Sequence, residues 1–384
     1  MGDGVKIAFF ASSLVSAYWN GVATYYRGIV RALHERGHRV TFYEPDASDR
    51  QRHRDLDDPE WARVVVYPVT EEGVRRAVDD ARTADVVIKA SNVGVFDDFL
   101  EEAVLSLKRP GTLVIFWDVN APATLDRITS NAADPMRRRI PRYDLILTYC
   151  GGDSIVKRYI AFGARQCVPI YNALDPHTHH PAAPDSKFAG DLGFLGNRLP
   201  DREARVDEFF FRAAKLCPHR KFVLGGCGWE DKPMPPNVRW VGHVYTRDHN
   251  AFNSSARAVL NVSRQGMATH GYSPTSRVFE AAGAGACIIS DAWDGIEMFF
   301  EPGAELLVAH NAEEVAQHLE TLTPRRAGVI GAAALRRVLR HHTYAQRVRQ
   351  LEQLLGAERQ AWYSHAIHPP EDASITMQRP GPPN

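Results

Sequence analysis

The sequence predicts an α/β protein of two doubly wound, parallel-sheet halves joined by a hinge, with a cleft between them. Three observations carry this reading. Short apolar runs of strand length alternate with helical stretches through both halves. The strand runs are short and mostly apolar, the pattern of parallel sheets covered on both faces. A Pro-rich segment, NALDPHTHHPAAP from Asn172 to Pro184, interrupts the alternation near the middle of the chain.

In the first half, Val5 to Ala11 reads as a buried strand, Gly21 to Glu35 as an amphipathic helix stopped by Gly37, and Arg39 to Glu44 as the next strand. Val64 to Val69, Asp85 to Ala90, Thr112 to Trp117 and Asp144 to Thr148 continue the series, with Phe99 to Leu107 as one of the intervening helices. Gly151 and Gly152 open a further helix that ends near Gly163, and Val168 to Tyr171 closes the half. After the hinge the same grammar repeats. Strands are expected at Asp191 to Leu195, Lys221 to Leu224, Val238 to Val241, Val259 to Val262, Cys287 to Ser290 and Leu306 to Ala309. Helices are expected at Asp201 to Leu216 and Ala312 to Leu322, and beyond Pro324 the chain reads as helical to about His365. The domain boundaries that follow are 1–171, a hinge at 172–186, 187–340, a C-terminal helix at 341–367 and a Pro-rich disordered tail at 368–384.

Composition narrows the function. A chain of 384 residues with formal net charge +0 offers no electrostatic argument for nucleic acid or an anionic membrane. No apolar run approaches the roughly 20 residues of a membrane span. None of the five cysteines forms a CxxC pair, which reads as buried free thiols in a reducing cytoplasm. The hinge histidines His177, His179 and His180 have no ligand partner nearby in sequence and read as solvated loop, so neither a metal nor another cofactor is expected.

The richest stretch is SPTSRVFEAAGAGACIISDAWDGIEMFFEPG, from Ser273 to Gly303. Ser273 suits a helix cap and Pro274 the first helical position. Val278, Ala281, Ala282 and Gly285 make an apolar stripe, and Glu280 stands off it with Arg277. A helix start favours phosphate, and a carboxylate just inside accepts hydrogen bonds from sugar hydroxyls. The stretch therefore reads as a nucleotide site, with phosphate at Ser273 and ribose at Glu280. The plain alternative is an exposed Arg277–Glu280 ion pair.

Loops after strands supply further candidates. Gly21 permits close approach of a ligand to a helix start, and Tyr18, Trp19, Asn20, Tyr25 and Tyr26 make that corner suited to an acceptor. No GxGxxG is present there, which argues against a dinucleotide. Asp118 ends the run LVIFWD and is a candidate base, or else a helix cap. Arg198 in GFLGNR is placed to neutralise a diphosphate. Gly242, His243 and Val244 could read a nucleobase edge. Asn261, Arg264 and His270 lie between a strand and the Ser273 helix, where RQGMATHGY has neither helix nor strand period and is long enough to shape a sugar pocket.

The Ser273–Gly303 stretch, with RHHTYAQR, TYCGGD and GARQCVPIYNALDP, resembles the spore-maturation CgeB-like glycosyltransferases, relatives of the retaining GT-B nucleotide-sugar transferases of glycosyltransferase group 1. The resemblance covers most of the chain and is strongest in the second half. It implies two Rossmann-like domains, an acceptor domain followed by a donor domain, with a final helix crossing back to the first. It places ribose on Glu280 and diphosphate on Arg198 and on Ser273, Thr275 and Ser276, with Arg264 or Arg277 in place of the lysine that often pairs with that arginine. Many retaining relatives carry a second Glu eight positions before the ribose Glu. Tyr272 stands there in this chain, so donor-sugar contacts pass to Arg264, His270 or backbone groups. The expected function is metal-independent transfer, with retention, from a UDP- or GDP-linked sugar to a small-molecule, glycan or protein acceptor. The alternatives are a GT-B-type nucleotide-sugar epimerase and a non-catalytic nucleotide-sugar binding protein.

Overall fold

A computed structural model describes residues 4–18 and 20–367. Among these residues thirteen strands form two sheets, and every pairing between them is parallel. The first sheet holds β1 (Lys6–Phe10), β2 (Arg39–Pro45), β3 (Arg63–Tyr67), β4 (Val86–Ala90), β5 (Leu113–Asp118), β6 (Leu145–Thr148) and β7 (Cys167–Pro169) in the order 3-2-1-4-5-6-7. The second holds β8 (Gly190–Leu195), β9 (Phe222–Gly225), β10 (Val238–Trp240), β11 (Ala256–Asn261), β12 (Ile288–Asp291) and β13 (Leu307–Ala309) in the order 10-9-8-11-12-13. These are the two doubly wound sheets that the apolar runs predict. All residues of β4 and β5 are buried, because helices cover both faces. Separate apolar clusters lie on the two sides of each sheet.

In a doubly wound sheet the chain leaves the central strands in opposite directions, and a crevice opens at their carboxyl ends. Here the switch points fall between β1 and β4 and between β8 and β11. The loops after these strands face each other.

The chain returns to the first sheet at its end. Leu174 donates its N–H to His342 O at 2.7 Å and accepts from Tyr344 N at 3.1 Å. The helix Tyr344–Ile367 then packs on the helix Ala23–Glu35. A side chain at Gly28 would strike the Tyr344 ring at 2.0 Å, so a glycine is needed for the helices to approach this closely. Arg36 and Glu352 join the two helices at 2.6 Å. The disordered tail expected at 368–384 lies outside the described residues.

Two local expectations change. RQGMATH is not irregular, for Gln265–His270 is a helix. It buries none of its residues, so it has no apolar stripe to betray it. The helix expected from Ser273 starts instead at Ser276, with Thr275 extended before it. Ser273 is buried and donates its hydroxyl to Gly271 O at 2.7 Å rather than capping. Two amides hold this entry extended. Asn172 Nδ2 donates to Pro274 O at 3.0 Å, and Asn261 Oδ1 accepts from Thr275 Oγ1 at 2.6 Å. Gly285 lies beyond the helix end and not in its stripe.

Candidate functional site

A cavity of about 530 Å³ opens between the two sheets. Ser12, Asn20 and Gly21 line it after β1, Asn120 after β5 and Tyr149 after β6. From the other side come Asn197 after β8, Arg264 after β11, and Thr275, Ser276 and Arg277 at the helix start. Asn172 of the hinge closes one wall. Of the residues singled out from sequence, the fold therefore brings Asn20, Gly21, Arg264, Thr275, Ser276 and Arg277 together.

The electrostatic centre is a pair of arginines. A side chain at Gly196 would lie 2.7 Å from one guanidinium nitrogen of Arg202 and 2.9 Å from one of Arg277. Both guanidinium groups also lie over the Phe194 ring, at 5.5 and 5.4 Å. Arg202 donates to Asn197 O at 2.6 Å. Among the described residues neither arginine has a carboxylate partner within ion-pair distance. Burial, and then the neighbouring Arg277 and Arg264, push the Arg202 pKa down to about 9. Burial likewise lowers Arg277, against the opposing pull of Glu280 and Asp291. Two crowded, partly desolvated cations facing one cavity favour an anionic ligand that neutralises both.

A buried ion pair shapes the loop beside them. Asp291 accepts from Arg205 at 2.6 Å and from Ser263 N at 2.9 Å. This fixes the turn that carries Arg264, which itself pairs with Asp201 at 2.5 Å.

Other expected residues stand elsewhere. Arg198 is held outward by Glu203 and Asp231, each at 2.7 Å, and does not line the cavity. Arg202, one turn later, takes the inward position. Asp118 is fully buried, accepting from Ser91 Oγ at 2.7 Å, from Asn120 N at 2.8 Å and from the Tyr159 hydroxyl. With its oxygens occupied by internal donors it braces the β5 loop, and the geometry does not present it as a base.

His243 is exposed, with its ring against Tyr245 and Nδ1 3.3 Å from Cys227 Sγ. Gly242 O accepts from Gly226 N, and Val244 is buried against Phe252. None of the three lines the cavity. Tyr18 stacks on His53 at 3.9 Å, while Tyr25 and Tyr26 are core residues under the first sheet. Trp19 lies outside the described residues. His270 ends its short helix outside the cavity wall. Tyr272 does not open into a sugar pocket. Its backbone accepts from Gly151 N at 2.8 Å, and its ring fills the space beside Gly152 and Gly295.

Glu280 sits one turn below the cavity wall, half-buried. Burial raises its pKa, but His179, His249, Arg277 and the Ser276 hydroxyl outweigh that and leave it below the ordinary range. Among the hinge histidines, His177 and His180 are exposed as expected for a solvated loop. His179 is not, with 1% of its surface accessible. The hinge folds back on the second sheet and buries it beside His249 and Glu280, neighbours that sequence separation concealed.

The sequence reading missed Arg202, Asn197, Asn172, Asn120, Arg50 and Asn92 on the cavity wall. The signal for Arg202 was its place one turn into the helix after β8.

Residues 202–353 match the family model described as Glycosyl transferase-like. No curated protein matches the chain. Among solved structures, the chain is similar to sucrose-phosphate synthase from Thermosynechococcus elongatus, with 13% identity and a TM-score of 0.66 over 94% of this chain and 100% of that one. It is similar to Anabaena Alr3699/HepE, solved in complex with UDP and glucose, with 15% identity and a TM-score of 0.64 over 92% of this chain and 100% of that one. It is also similar to AviGT4, a glycosyltransferase involved in Avilamycin A biosynthesis, with 17% identity and a TM-score of 0.59 over 93% and 98%. At such identities the likeness is one of fold, and the fold is the two-domain GT-B architecture. Among the described residues, no helix is long and apolar enough to cross a membrane.

Proposed function

We propose that this chain is a glycosyltransferase that moves a sugar from a UDP- or GDP-linked donor to an acceptor seated against the first sheet. One observation carries the reading. Arg202 and Arg277 converge on Gly196 in the cleft without a carboxylate partner among the described residues, an arrangement suited to a diphosphate. The N–H groups at the start of Ser276–Gly283 open on the same cavity and add to it. Placement in the CgeB-like subgroup, and ribose at Glu280, rest on the sequence resemblance. The likeness to a protein solved with UDP favours the nucleotide-sugar class.

The chemistry follows from charge. The bond from the anomeric carbon to the diphosphate oxygen breaks, and its electrons go to the diphosphate. Arg202, Arg277 and the helix start stabilise that developing charge, the largest contribution such a site offers. This leaves a divalent ion at the diphosphate unnecessary. Among the described residues, those lining the cavity include no Asp, Glu or His, so none of them offers a side-chain carboxylate or imidazole as general base. That favours retention, with the departing phosphate oxygen taking the proton of the acceptor hydroxyl as the new carbon–oxygen bond forms.

Calorimetry with UDP and GDP, followed by product analysis of the matching nucleotide sugar with a panel of acceptors, tests the proposal. Free nucleotide should accumulate only with an acceptor, alongside a glycosylated product. Binding of neither nucleotide would overturn the donor site. Isomerised nucleotide sugar without release would make the chain an epimerase.

A further inference from the structure

We propose that His179, His249 and Glu280 form a binding site for a divalent transition-metal ion of the zinc class, which ties the hinge to the second sheet. One ligand atom from each of the three residues lies within 4.8 Å of the others. Tetrahedral zinc with nitrogen and oxygen ligands at about 2.0–2.1 Å places its donors roughly 3.4 Å apart, which small side-chain rotations reach.

The donor atoms are otherwise unexplained. Both ring nitrogens of His179 are buried without a hydrogen-bond partner, as is Nδ1 of His249. A buried polar atom left unpaired is costly, because it has given up its hydrogen bonds to water. Such a cost on two rings that each bring one nitrogen close to the same carboxylate points to a ligand. His249 Nε2 lies 3.3 Å from Val244 O. A carbonyl only accepts, so Nε2 carries the ring proton and Nδ1 presents its lone pair, the outer-shell bond typical of a metal-bound imidazole.

The framework is also rigid. Asn250 brackets His179, accepting from His180 N at 3.2 Å and donating to Thr178 O at 2.9 Å. On the other side, a side chain at Gly283 would lie 3.0 Å from His179 O, so the hinge backbone rests directly on the helix that carries Glu280. Two imidazoles and one carboxylate suit zinc-class ions over Mg²⁺ or Ca²⁺, which prefer all-oxygen shells. Ligation by one oxygen of Glu280 leaves its second oxygen for a hydroxyl. The site stands on geometry alone and does not depend on the donor assignment above.

The test is calorimetric titration of the chelator-stripped, full-length chain with ZnCl₂ and, separately, MgCl₂. The parent should bind one Zn²⁺ and no Mg²⁺ in the micromolar range, and Zn²⁺ should raise its Tm. His179→Gln and His249→Gln should each weaken Zn²⁺ binding at least about tenfold, as loss of a ligand does. His177→Gln/His180→Gln should leave it intact. Co²⁺ added to the parent should give the visible absorption of a tetrahedral nitrogen–oxygen site, a readout that needs no variant to fold. Absence of saturable Zn²⁺ binding by the parent, survival of that binding in folded His179→Gln/His249→Gln, or preference for Mg²⁺ would each overturn the proposal.

Discussion

Arg202 and Arg277, 75 positions apart in sequence, present their guanidinium groups to the same glycine, Gly196, and to the same ring, Phe194. Two cations held this close repel each other. Their helices are anchored in the core of the second sheet, so the two groups cannot separate to relieve the repulsion.

Arg202→Ala and Arg277→Ala should each weaken UDP or GDP binding by about 10- to 100-fold, the ~1.5–3 kcal/mol of a hydrogen bond to a charged group. Arg198→Ala should change it by less than about fivefold, as expected for a surface ion pair. Calorimetry on the three variants decides between the inward and the outward arginine.

Gly152 has φ +51°, and a side chain there would lie 2.7 Å from the Tyr272 ring. Gly152→Ala should cost about 1–3 kcal/mol, combining left-handed strain with the clash. Tyr272→Ala removes the ring and should restore part of that cost in the double variant. Thermal unfolding of the two single variants and the double variant measures the coupling. Strict additivity would show that the two do not touch in solution.

Lys89 is fully buried, with Nζ 2.5 Å from Asp97 Oδ1 and 2.9 Å from Ala90 O. Burial raises the Asp97 pKa, yet Lys89 and the N–H groups of Gly94 and Val93 outweigh it and hold it low. Lys89→Ala leaves that carboxylate without its cation and should destabilise the chain by about 3–5 kcal/mol. Urea unfolding gives the value. A loss under ~1 kcal/mol would mean that water replaces the ammonium.

Burial, followed by Arg347, Arg337 and His341, pushes the His342 pKa down to about 3 from its ordinary 6.5. The folded state therefore keeps the ring neutral while the unfolded chain takes up a proton. The stability this confers is full above pH 6.5 and is lost as pH falls toward about 3, by up to ~1.4 kcal/mol per pH unit. His342→Gln keeps an acceptor for Arg347, which donates to His342 Nδ1 at 3.1 Å. It should flatten the slope of unfolding free energy between pH 6.5 and 4 relative to the parent. Equal slopes would show that His342 titrates normally.

Much of the fold was legible because its signals are local. LVIFWD and VVIKA are mostly apolar and buried along their whole length since helices cover both faces, and that pattern survives in one dimension. The helix Gln265–His270 was not legible, because it spans open space beside the cleft and buries no residue. The site was half legible. Gly21, Thr275, Ser276 and Arg277 lie at the starts of helices that follow β1 and β11, and the chain beyond the carboxyl end of a parallel strand faces the crevice. Arg198 and Arg202 both follow β8 by a few residues, and nothing in the local sequence says which turns inward.

By itself, then, the sequence determined two doubly wound parallel sheets and most of the helices that follow their strands. Each depends on the apolar period or turn chemistry of a few neighbouring residues. Tertiary structure decided which charges are paired and which are not. Arg198 is neutralised by Glu203 and Asp231, Arg202 shares Gly196 with Arg277, and His179 is buried against His249 and Glu280. Pairing depends on distance in space, and those partners come together only when the second sheet and the hinge close around them.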